Sequence, residues 1–115
     1  YIKCDVYTIG MGLCASLGAF LLSSGDKRFI LENTKVMIHQ PLGKTEGQAS
    51  DMMIVASEII KTKKRLNEIL AFNTKQDINK IELDTERDYY MNAYEALQYG
   101  IVDEVILKNT KKEKK

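Results

Sequence analysis

An α/β architecture is expected from three observations in this sequence. A β-branched run, Val6-Tyr7-Thr8-Ile9, leads through small residues into the apolar stretch Phe20-Leu21-Leu22, a strand followed by a helix. A second apolar run, Val36-Met37-Ile38, ends at His39-Gln40-Pro41, and the proline biases Gln40 away from helix. A capped helix over Ala93–Tyr99 precedes a further β-branched run, Ile101–Leu107. Strands that alternate with helices in this way build α/β folds.

Composition bounds the reading. At 115 residues the chain is one domain or part of one. Its 44% hydrophobic and 29% charged residues fit a globular protein rather than a disordered one. A net charge of +1 gives no electrostatic case for nucleic acid or an acidic membrane. No apolar run approaches the ~18 residues needed to cross a bilayer. Cys4 and Cys14 have no metal-ligand spacing and read as free thiols of a reducing compartment. No signal peptide is visible in YIKCDVYT. The chain opens at Tyr1 rather than Met, and a fragment, a processed product or the ordered part of something longer is expected.

In chain order, residues 1–9 read as an approach and a strand, and Gly10–Leu22 as a turn and helix closed by Ser23-Ser24-Gly25-Asp26. Arg28–Leu31 is a short strand and Glu32-Asn33-Thr34 a turn. Lys35–Gln40 is a second strand, expected to be buried on both faces. Leu42–Gly47 is a glycine-bounded loop. A long helix from about Gln48 to Phe72 carries Met52, Met53, Ala56, Ile59, Ile60, Leu66, Ile69 and Leu70 at helical spacing, broken at Lys61–Arg65. About 25 residues at ~1.5 Å each outrun a core this small, so part of it either projects onto another subunit or presents a solvated face. Asp77–Asp84 is a short helix, and Thr85–Asp88 a charged segment before Tyr89-Tyr90-Met91. Asn92 and Glu95 form a capping box, and Gly100 ends the helix that follows. Ile101–Leu107 is the last strand, and the lysine-rich tail 108–115 is expected to be disordered.

The stretch Gly10–Phe20, GMGLCASLGAF, holds the first candidate for chemistry. Ser16 falls at or near a helix N-terminus, where a serine either caps the helix or acts as a nucleophile beside a stabilised oxyanion. The match to the nucleophile elbow G-x-S-x-G is partial: Gly18 fits, but Cys14 stands where the first glycine should be. The single histidine, His39, lies at a strand end, where α/β folds gather their sites. Asp88, taken alone, reads as a surface ion-pair partner.

Three stretches together are far more specific. G-L-C-A-S-L-G-A, K-V-M-I-H-Q-P-L-G and D-T-E-R-D-Y-Y-M-N-A-Y-E-A-L-Q-Y-G-I-V-D, with G-Q-A-S-D and R-L-N-E-I-L on the long helix, resemble the proteolytic-subunit family of the ATP-dependent Clp protease. The resemblance runs from Tyr1 to about Leu107, with the family's N-terminal part absent. It implies the ClpP/crotonase-like α/β fold of repeated strand-strand-helix units, with the long helix as a protruding handle. It implies a serine endopeptidase in which Ser16 is the nucleophile, His39 the general base, Asp88 the orienting acid and the Leu17 backbone N–H one oxyanion donor.

The resemblance also implies partners. The family forms two stacked heptameric rings of identical subunits, a tetradecamer that degrades unfolded proteins delivered by an AAA+ unfoldase. The ATP is used by that partner, and no cofactor, metal, nucleic acid or membrane is implied for this chain. Glu86 and Arg87 match the pair that couples ring contact to the triad. The compartment expected is bacterial cytoplasm, plastid stroma or mitochondrial matrix.

Three departures stand out. The loop at Gly25-Asp26-Lys27-Arg28 is shortened, and Lys44 replaces a glycine. The family's upstream oxyanion loop is missing, so residues 1–115 alone are expected to be inactive. A non-catalytic ring subunit and a crotonase-type acyl-CoA enzyme are the alternatives; the presence of all three triad residues argues against both.

Overall fold

A computed structural model of the chain describes residues 3–39 and 49–108. Strand β1 (Tyr7–Gly10) is followed by β2 (Leu13–Ala15) and helix α1 (Leu17–Ser23). The pattern repeats in β3 (Lys27–Leu31), β4 (Lys35–Ile38) and the long helix α2 (Ala49–Thr74). Helix α3 (Ile78–Asp84), β5 (Tyr89–Asn92), α4 (Ala93–Tyr99) and β6 (Glu104–Ile106) complete the described chain. These are the expected strand-strand-helix units.

Among the described residues two three-stranded sheets form, in the orders β1-β3-β6 and β2-β4-β5. The first is parallel throughout. In the second, β2 runs parallel to β4 and β5 antiparallel to it. Each unit sends its first strand to one sheet and its second to the other. The crossing from β1 to β2 takes only Met11 and Gly12, and Gly12 sits at φ 74°, where a side chain is strained.

The core lies where both sheets meet the helices. Ala19 and Leu22 enter it from α1, Ile30 from β3, Val36 and Ile38 from β4, Leu70 from α2, Ile81 from α3 and Met91 from β5. Each fully buried aliphatic side chain contributes roughly 1.5–3 kcal/mol.

Local chemistry explains the helix ends. The Asp77 carboxylate accepts from the N–H of Asn79 and opens α3. At α4 the capping box is complete: Asn92 accepts from the Glu95 N–H at 2.8 Å, and Glu95 accepts from the Asn92 N–H at 3.0 Å. Gly100 closes α4 at φ 99°, and a Cβ there would lie 2.2 Å from the Thr74 carbonyl oxygen at the end of α2. Both the dihedral and the close approach demand glycine. Arg28 ties the same region together. Its guanidinium meets Asp103 at 2.8 Å and donates to the carbonyls of Asn73 and Gly100, each at 2.8 Å.

Several expectations change. Strand β2 forms inside what reads as a turn, because three residues are too few to show a period. Strand β5 exists through its pairing with β4. Strand β4 alternates instead of being buried on both faces: Lys35 is exposed, while Val36 and Ile38 are buried. The last strand is shorter than Ile101–Leu107, because Ile101 and Val102 enter the core ahead of it. The loop Leu42–Gly47, with Lys44, and the tail from 109 onward lie outside the described residues.

Helix α2 is the handle. Its C-terminal half packs on α1 and α3, and its N-terminal half leaves the body, giving the molecule a length of 66 Å against 30 and 24 Å.

Candidate active site

Strands β2 and β4 run parallel, so their C-terminal ends share one edge of the sheet. Ser16 follows β2 and His39 follows β4. The Ser16 N–H donates to the Met37 carbonyl at 2.9 Å, which fixes where the serine sits on that edge. Because β5 is antiparallel to β4, its N-terminal end reaches the same edge, and Asp88 immediately precedes it. The register ends with Ile38 paired to Tyr89, and His39 and Asp88 are the next residues of the two chains beyond that pair. Strand direction thereby brings Ser16 to His39 and puts Asp88 at the start of the neighbouring strand.

Ser16 occupies the N-cap position of α1, but its side chain makes no capping hydrogen bond. Its hydroxyl instead forms a hydrogen bond with Nε2 of His39. Its backbone stands at φ 56° and ψ −115°, a region that L-residues avoid and that costs about 1–3 kcal/mol. The turn from strand to helix is thus sharp, and it aims Oγ outward rather than back along α1. The surrounding small residues allow it, and among the described residues nothing beyond its own helix lies within 4 Å of a Cβ placed on Gly18. The first intrahelical bond runs from the Phe20 N–H to the Ser16 carbonyl. The N–H groups of Leu17, Gly18 and Ala19 therefore have no partner within the helix.

A cavity of about 430 Å³ opens at this point. Ser16 and His39 lie on its wall with Leu17, Phe20 and Ile38, and α2 closes it with Thr62, Leu66, Asn67 and Leu70. Thr85, just after α3, completes the lining. The volume falls within the range of ligand pockets, and the mostly apolar wall with a few convergent polar groups is the usual character of a binding site.

A family model described as Clp protease matches residues 1–109. The chain belongs to the Clp protease family. This family membership accords with the two-sheet α/β architecture and gives the chain a protease setting. Among Clp protease features expected from the sequence, Ser16, His39 and Leu17 meet at one cavity. Asp88 immediately precedes β5, whose Tyr89 pairs with Ile38, and is exposed. Glu86 and Arg87 are exposed in the segment leading to it.

The sequence reading passed over Asn67, Thr62 and Thr85. For Asn67 a signal existed. It occupies the buried stripe of α2 with Leu70 and Thr74, at i, i+3 and i+7, and a polar residue at an apolar position of a helix invites explanation.

Proposed function

We propose that this chain is the catalytic subunit of a serine endopeptidase that cleaves unfolded polypeptides. The observation that carries the reading is the hydrogen bond between Ser16 Oγ and His39 Nε2 at a strained strand-to-helix turn facing a cavity. A serine at the N-cap position whose hydroxyl is given to an imidazole instead of to its own helix is arranged for nucleophilic attack.

The chemistry follows from that pair. His39 Nε2 takes the hydroxyl proton as Ser16 Oγ bonds to the scissile carbonyl carbon, and the carbonyl π electrons move onto oxygen. The Leu17 N–H, first in α1, donates to the resulting oxyanion. Collapse of the intermediate breaks the C–N bond, and His39 returns the proton to the leaving amine. Water then repeats the sequence on the acyl-enzyme. Asp88 holds the imidazole tautomer and stabilises the imidazolium. No cofactor on this chain enters these steps.

Membership of the Clp protease family supports the rest. Identical subunits assemble into stacked heptameric rings, the projecting half of α2 makes contacts between them, and Glu86 and Arg87 link those contacts to Asp88. An AAA+ unfoldase spends ATP to deliver substrate. Such a complex would work in bacterial cytoplasm, plastid stroma or mitochondrial matrix.

The test is Ser16→Ala in the full-length assembled protein. Turnover of a fluorogenic peptide should fall by on the order of 10⁶ while assembled mass stays the same. Labelling of Ser16 by a fluorophosphonate should disappear with it. Peptide cleavage retained by the variant would overturn the proposal.

A further inference from the structure

We infer that Tyr99 is a positioning residue for the reaction: from α4 it clamps both ends of the short segment that carries Asp88, and so sets where that carboxylate stands. The inference rests on the serine-peptidase reading and goes beyond it to a residue outside the candidate site.

Asp84 closes α3 and Tyr89 opens β5, and the segment between them ends at Asp88. Glu86, Arg87 and Asp88 are exposed, so packing of their own side chains fixes little of their course. Their placement is left to the two ends, and Tyr99 meets both. Its hydroxyl donates to Asp84 Oδ2 at 2.7 Å. Its ring lies against that of Tyr89, with centroids 5.8 Å apart and planes tilted by 47°, a favourable geometry for two aromatic rings.

Tyr99 is itself held firmly. It is buried in the core, and its backbone carbonyl accepts from Gln76 Nε2 at 2.8 Å. Burial first, and then the bond to the Asp84 carboxylate, push its hydroxyl above the ordinary tyrosine range, so it stays protonated and stays a donor. The Lys80 ammonium reaches the same Asp84 oxygen at 3.2 Å and stands over the Tyr99 ring, 5.2 Å from its centre.

The clamp acts on the site through Tyr89. That residue pairs with Ile38, and Asp88 and His39 are the next residues of the two chains beyond the pair. His39 carries the bond to Ser16. Any shift at Tyr89 moves Asp88 relative to His39, and an orienting carboxylate must stay within reach of the imidazole to hold its tautomer. A buried tyrosine hydroxyl normally finds some partner. Here the hydroxyl binds the residue from which the segment leaves, and the ring contacts the residue at which it arrives. Support locked by packing and hydrogen bonds in this way is what holds a reacting group to within about 0.5 Å.

The test uses the full-length assembled protein and a fluorogenic peptide, with active sites counted by complete fluorophosphonate labelling. Tyr99→Phe keeps the ring against Tyr89 and removes the bond to Asp84. It should lower kcat per labelled site about tenfold with KM within about twofold of wild type, a part of the ~10²-fold that a 1 Å misplacement costs. Asp84→Asn still offers an oxygen to the hydroxyl and should keep kcat near that of wild type. Asp84→Ala offers none and should fall as Tyr99→Phe does, with the double variant falling no further. A bond that only stabilises the fold would lower the melting temperature and leave kcat per labelled site unchanged. That result for Tyr99→Phe overturns the inference and leaves the peptidase reading standing. If Tyr99→Phe does not assemble, equal kcat in Asp84→Asn and Asp84→Ala overturns it in the same way. Wild-type protein that neither cleaves the peptide nor takes the label overturns the peptidase reading and this inference with it.

Discussion

Helix α2 is continuous from Ala49 to Thr74, yet its two halves behave differently. In the first, Met53, Ile54 and Ile60 are 73%, 64% and 65% exposed. In the second, Asn67, Leu70 and Thr74 are buried at a spacing of three and four residues. Both halves contain apolar residues at helical positions, so periodicity does not separate them. What separates them is the ground beneath. Helices α1 and α3 pack under the second half, and among the described residues nothing comparable covers the first. The second half forms a wall of the cavity beside Ser16, while the first is an exposed apolar surface of the kind that marks interaction sites.

The largest effect should come from placing a charge on the projecting half. Ile60→Glu should leave the fold of each subunit intact but break assembly, because burying an unpaired charge at a contact costs about 3–5 kcal/mol. Sedimentation should report smaller species; an unchanged assembled mass would mean that this face stays in solvent. Next is Leu70→Ala in the packed half, which should destabilise each subunit by about 2–5 kcal/mol. Thermal melting should detect the loss, and a melt like that of wild type would show that the second half is no better anchored than the first.

A smaller effect concerns the anchor at the end of the packed half. The hydrogen bonds from Arg28 hold the Asp103 carboxyl below the ordinary carboxylate range, against a weaker opposing push from burial. A depressed folded pKa means that the stabilisation is present above the unfolded value of about 3.9 and disappears as pH falls through the folded value. Asp103 is half exposed, so the contribution stays below about 1 kcal/mol. The melting difference between wild type and Asp103→Asn should therefore be present at neutral pH and vanish in acid; a gap that persists in acid would assign it to packing. The smallest effect belongs to the exposed pair Lys61–Glu58 at 3.4 Å. Glu58→Gln should change melting by an amount within ~0.5 kcal/mol. A larger shift would show that the projecting half is more ordered than its exposure implies.

Local signals were legible wherever a few adjacent residues carry the physics. The capping box at Asn92 and Glu95, the glycine stop at Gly100 and the long helix all follow from short-range sterics and hydrogen bonding. Strands β2 and β5 were not legible, because three or four residues become a strand only when a partner completes the ladder. At the site, motif resemblance singled out Ser16, His39 and Asp88. Ser16 by itself reads equally well as a cap, and only its backbone dihedral and its bond to His39 separate the two.

The α/β alternation, the helix termini, the family resemblance and the candidate triad were all readable from the linear chain, because residue type, spacing and motif are properties of it. Long-range packing set which half of α2 is buried, which strand ends share an edge, and that Nδ2 of Asn67 is buried without a hydrogen-bond partner. Those outcomes depend on which distant segments pack together. A side chain's environment is set by neighbours tens of residues away, and no local pattern encodes them.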